Sequence, residues 1–86
     1  MIDPANYPNA IAYAFAAVGG IGAAAKICGR SYQALSKWRS TSSLPRTEYT
    51  GETRYAFLLA EAGHLAGNDF DAQWLLEQAS PIRSAN

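Results

Sequence analysis

The side chains best suited to binding chemistry crowd into one short stretch of this sequence. Arg30-Ser31-Tyr32-Gln33 is followed by Ser36-Lys37 and by Arg39, and Arg46 comes next among the basic residues. A glutamine amide donates and accepts at once, which matches the paired functions on an adenine edge. Lysine and arginine reach guanine O6/N7 or phosphate, and hydroxyls bond to either bases or phosphates. Just upstream, Gly20-Ile21-Gly22-Ala23-Ala24-Ala25 has the spacing of a glycine loop that cradles the pyrophosphate of a dinucleotide. The stretch therefore offers two chemistries, and the surrounding elements must decide between them.

No catalytic constellation competes with either. One cysteine, Cys28, and one histidine, His64, exclude a disulfide framework and leave no protein-only zinc tetrad. Neither Ser31 nor Asp69 makes a credible triad with His64, and Glu61 with Glu52 or Asp71 gives no acid–base pair. Cys28 reads as a small core hydrophobe and His64 as a surface or loop residue. The expectation is a protein that is not an enzyme and uses no metal, cofactor or small-molecule ligand.

The chain has 86 residues and no formal net charge, enough for one domain with one modest core. The neutrality hides a split. Residues 1–46 carry Lys26, Arg30, Lys37, Arg39 and Arg46 against Asp3. Residues 47–86 carry Glu48, Glu52, Glu61, Asp69, Asp71 and Glu77 against Arg54 and Arg83. A basic working half and an acidic remainder fit a polyanionic partner. The apolar run from Ala10 to Ala25 has no basic residue ahead of it, and glycines break it. It reads as core rather than membrane span, in a cytoplasmic protein.

Abundant alanine and sparse β-branched residues favour an all-α fold. Five helices are expected. The first runs from Asn9 or Ala10 to Val18, with Ile11, Phe15 and Val18 on one stripe and Tyr13 off it. The second covers Ile21–Cys28 and ends at Gly29. The third covers Tyr32–Arg39, capped by Ser31, with Ala34, Leu35 and Trp38 inward. Ser40 to Pro45 reads as a loop, and 46–53 as a helical turn or a short wing. The fourth helix spans Glu52–Ala62 with Tyr55, Leu58, Leu59 and Ala62 inward. The fifth, capped by Asn68 or Asp69, runs to Ala79, and Pro81 stops it. It carries Phe70, Trp74 and Leu75, a patch for the core or for a second copy of the chain.

These elements argue against the dinucleotide reading. That fingerprint follows a strand, opens a long helix, and is answered by an acidic residue about twenty positions on. Here a helical pattern precedes the glycines, the following helix stops at Gly29, and the acidic position falls near Thr41. A helix-turn-helix needs a small residue inside its first helix, a glycine in the turn and apolar residues in its second. Counted from Ile21, Ala25, Gly29 and Leu35 stand at those places, and Ala24, Cys28 and Trp38 fill the accompanying apolar positions.

With those residues in place, "AAAKICGRSYQALSKW" resembles the helix-turn-helix of the Cro and cI repressor superfamily. It is closest in style to small prophage Cro-like and YdaS-like regulators, and the likeness covers roughly Ile11 to Ala62. Two departures stand out. Ile21 replaces a glutamine that often contacts phosphate, and Arg30 replaces an apolar turn residue. The resemblance implies a lambda-repressor-like domain over 1–86 that binds operator double-stranded DNA, as a homodimer, and regulates transcription. The third helix enters the major groove. Ser31, Tyr32, Gln33, Ser36 and Lys37 face the bases, and Arg30, Arg39 and Arg46 flank them at the backbone. The other class of function for such a domain is a protein-interaction module, such as an antitoxin or assembly factor, that does not read DNA.

Overall fold

The computed structural model describes residues 6–79, and the expected Pro81 stop and the tail lie outside them. Six helices follow one another: α1 (Ala10–Ala17), α2 (Ile21–Cys28), α3 (Tyr32–Thr41), α4 (Thr47–Thr50), α5 (Tyr55–Leu65) and α6 (Ala72–Gln78). No strand occurs among the described residues, so the all-α expectation holds. The extra helix is α4. Segment 46–53 takes the helical-turn alternative and forms no wing.

α1 is the central rod. Asn9 caps it by accepting from the Ala12 amide at 2.8 Å, and Gly19 and Gly20 end it with φ of 111° and 114°. Ile11, Ala12, Tyr13, Ala14, Phe15 and Ala17 are all buried, so α1 is covered nearly all round. This corrects the single-stripe expectation. Tyr13 is 4% exposed, and its ring meets Phe70 and Trp74 edge-on at 5.8 and 5.6 Å. The aromatic patch of the last helix is thus largely covered by α1. Leu75 is fully buried, in one core with Phe15, Leu35 and Leu59. After the glycine pair the chain turns by 86° into α2, and no single described helix is long and apolar enough to cross a membrane.

α5 packs against α1, α2 and α6 and so joins the two halves of the chain. It begins at Tyr55 rather than Glu52, runs to Leu65, and buries Ala56, Leu59 and Gly63. The expected inward face is therefore rotated, and Leu58 is 36% exposed. Gly63 allows Phe70 to approach. A Cβ there lies 2.7 Å from the Phe70 ring and 2.9 Å from the Asn68 carbonyl oxygen. Residues 68–70 stay outside the helix, and α6 is capped by Asp71, whose carboxylate accepts from the Gln73 amide, rather than by Asn68 or Asp69. Asp69 instead meets His64.

The start of α5 is organised by Glu48, a buried charged residue at 8% exposure. Its carboxylate accepts from the Tyr55 and Ala56 amides, each at 2.8 Å, and from the Thr53 hydroxyl. The one Thr53 proton goes to the carboxylate, so across the 2.9 Å Thr47–Thr53 contact it is Thr47 that donates. Arg54 at the N-cap offers no side-chain bond of its own. Glu48 therefore satisfies two orphan donors and sets a negative charge at the positive helix end.

Glu48→Ala is expected to lower unfolding stability by about 2–4 kcal/mol in a urea titration, because it strands buried donors. Glu52→Ala, which loses only an exposed bond to Thr50, should stay within about 0.5 kcal/mol of the parent. The glycines should divide as well. Gly63→Ala is expected to destabilise by about 1–3 kcal/mol through its clash with Phe70. Gly22→Ala meets nothing within 4 Å and should stabilise by up to about 1 kcal/mol. The same titration reads both.

Candidate nucleic-acid interface

The helix pair α2–α3 forms, with α2 and the start of α3 at the boundaries its sequence implies. Gly29 occupies the left-handed region at φ 66°, with its amide bonded back to Lys26 and that of Arg30 to Ala25. The fully buried Ala24 lets the helices close on each other, and Leu35 and Trp38 are buried from the other side. Ser31 caps α3 by accepting from the Ala34 amide at 3.2 Å. α3 continues two residues past the expected end at Arg39. Thr41 Oγ1 lies 3.0 Å from the Lys37 carbonyl oxygen it bonds, and Ser42 closes the helix in a left-handed conformation at φ 57°.

Three contacts fix how α3 is presented. The Trp38 ring lies against Tyr55 at the start of α5, 5.1 Å between centroids. Asn9, besides capping α1, donates its side-chain amide to the Arg39 carbonyl at 2.9 Å. Beyond α3, Leu44 is buried and its amide bonds to the Ala79 carbonyl at 3.0 Å. None of these three was singled out in the sequence. Asn9 carries a capping signal, but nothing local points to its second partner thirty residues on.

With its inner side held, α3 turns the expected residues outward. Arg30, Ser31, Tyr32, Gln33 and Lys37 are exposed, Tyr32 at 54%, while Ser36 and Arg39 are partly buried. Arg46 is exposed at the entry to α4, and Lys26, not among the expected contacts, is exposed in the last turn of α2. Lys26, Arg30, Lys37, Arg39 and Arg46 make no ion pair among the described residues. No acidic residue occurs in the sequence between Asp3 and Glu48 to provide one nearby. Glu48 itself is buried and directed into the α5 start. The result is a helix pair with polar and cationic groups outward and no ion pair to them among the described residues.

The glycine loop loses its nucleotide reading here, since Gly20-Ile21-Gly22 follows a helix and opens one of 8 residues. Among the described residues no cluster of three His, Cys, Asp or Glu side chains is placed to hold a metal ion. Set beside this geometry, the sequence is similar to an 8.4 kDa cro protein of Escherichia phage HK022, with 53% identity over 38 residues. The match covers 44% of this chain and spans 50% of that protein, about half of its length. No family model matches the chain, and no solved structure does.

Cys28 reports on the closure of the helix pair. Burial, with a smaller contribution from the Glu48 charge, pushes its thiol up to about 11. At pH 8 the thiolate is then roughly a thousandth of the total, so native Cys28 should label slowly with an aromatic disulfide reagent. Labelling should accelerate sharply across the urea transition. Fast labelling of the native protein would mean that the C-terminal turn of α2 stands open.

Proposed function

We propose that this chain is a Cro-like regulator that binds operator DNA as a homodimer and represses transcription, with α3 in the major groove. The observation that carries the reading is the outward face of α3. Tyr32, Gln33 and Lys37 are exposed on a helix anchored from behind, amid cations that no carboxylate pairs with among the described residues. Arg30, Arg39, Arg46 and Lys26 set the helix in register through phosphates, which position a protein without reading sequence. Gln33 pairs bidentately with adenine, and Lys37 reaches guanine or a phosphate. Ser31, at the N-cap, already spends one acceptor on its cap, and Ser36 is partly buried in the middle of the helix. The similarity to a phage cro protein supports the same assignment. The chain's neutrality does not oppose it, because the acidic residues of the described second half lie at or after Glu48.

The test is selection from a random double-stranded DNA pool at moderate salt. An enriched two-fold motif is expected, and Gln33→Ala should relax preference at one position per half-site by about 1–3 kcal/mol. Lys37→Ala or Arg30→Ala should weaken all sequences and lower the salt slope by about 1. Absence of enrichment, with binding indifferent to salt, would favour the protein-interaction class instead.

A further inference from the structure

One surface of the fold has no internal explanation. α5 buries Ala56, Leu59 and Gly63, yet its opposite side carries Phe57 at 54%, Leu58 at 36% and Leu65 at 81% exposure. At helical spacing these three and Glu61 fall within an arc of about 100°. Arg54, at the helix start, and Glu61 make no ion pair among the described residues. An apolar stripe flanked by one free cation and one free anion is unusual for a face meant only for water.

We propose that this face of α5 binds a second copy of the chain, the two helices running antiparallel about a two-fold axis between Phe57 and Leu58. The sequence spacing is self-complementary in that arrangement. Arg54 and Glu61 lie three residues outside Phe57 and Leu58 on either side. A two-fold that sets Phe57 of one copy on Leu58 of the other therefore also sets Arg54 against Glu61, twice. No parallel pairing gives both matches. Leu65 then extends beyond the other helix's start, toward a groove of about 360 Å³ lined by Gly51, Thr53, Arg54 and Phe57 at one side. The interface is isologous, as a two-fold requires.

Size sets the strength. An 11-residue helix is about 16 Å long, so this pairing falls in the class of transient interfaces below about 1,200 Å². The dimer is weak in free solution and strengthened when two half-sites hold the copies together. The inference deepens the homodimer reading by naming the face that joins the copies.

Sedimentation equilibrium without DNA tests it. The parent should show concentration-dependent dimers, and Leu65→Asp, at a site too exposed to disturb folding, should raise the dissociation constant at least about tenfold. Arg54→Glu should weaken the dimer, and adding Glu61→Arg to it should restore the parent behaviour. A charge swap that fails to restore dimers, or dimers indifferent to Leu65→Asp, would place the contact elsewhere and overturn the proposal. A parent that stays monomeric at millimolar concentration would do the same. Because no DNA is present, these outcomes are separate from those of the operator selection. A dimer without an operator sinks only the DNA reading, and DNA binding by a monomer sinks this inference and the homodimer part of that reading while leaving DNA recognition standing.

Discussion

The arrangement depends on a single buried carboxylate. α5 packs on α1, α2 and α6, so its position relates the helix pair at the front of the chain to the helix that closes the core behind. Yet its own first turn lacks a capping side chain. Glu48, seven residues before Tyr55, supplies the acceptors from a different element. A buried carboxylate is tolerable only when its oxygens are occupied, and here two amides and a hydroxyl occupy them. The same charge reaches its neighbours. With burial as the larger cause, it helps hold the Tyr49 phenol up to about 12, and that hydroxyl donates to the Leu76 carbonyl at 2.7 Å. One carboxylate thus orders the start of α5, and the residue beside it ties α4 to α6.

Precision at α3 follows from that order. A helix of 10 residues is marginal on its own in water, so its direction must come from what it packs against. Tyr55, whose amide Glu48 holds, is also the ring on which Trp38 rests. The next residue of α3 is tied by Asn9 through the Arg39 carbonyl. Two anchors on one helix leave its outer face little freedom to rotate. That rigidity matters for any side chain meant to meet a base edge at hydrogen-bond distance.

The parts of this fold legible in the sequence are those with local causes. α2 and the start of α3 were readable because Gly29 and Ser31 act on their own turns, through a left-handed corner and a single cap. α5 was not, because Tyr55-Ala-Phe-Leu-Leu-Ala carries apolar residues on nearly every side and its period admits more than one buried face. The choice was made by Gly63, whose missing side chain lets Phe70 in, and hydrophobicity does not record a missing side chain. Tyr13 was misread for a related reason. A helix covered all round has no stripe, and the aromatic rings that cover Tyr13 come from the far end of the chain. Glu48 looked like one more member of an acidic half, since its partners are five to eight residues ahead in another element. For the candidate interface, residue types and outward positions on α3 were legible, while the supports behind it were not.

The charge division acquires a structural meaning from these contacts. An anion near α3 would compete with a polyanion for its cations and weaken long-range attraction at once. The chain avoids this by two means. No carboxylate lies between Asp3 and Glu48, and Glu48 itself is turned inward against backbone donors. Later carboxylates are placed where they serve helix ends or local pairs, Asp71 at the start of α6 and Asp69 beside His64. Arg54 and Glu61 are the exceptions, opposite charges without an ion pair among the described residues, on one apolar face. Net neutrality is therefore compatible with a strongly directional field. The cations lie toward the α2–α3 surface, and the described acids stabilise the remainder of the fold or stand on its outer faces.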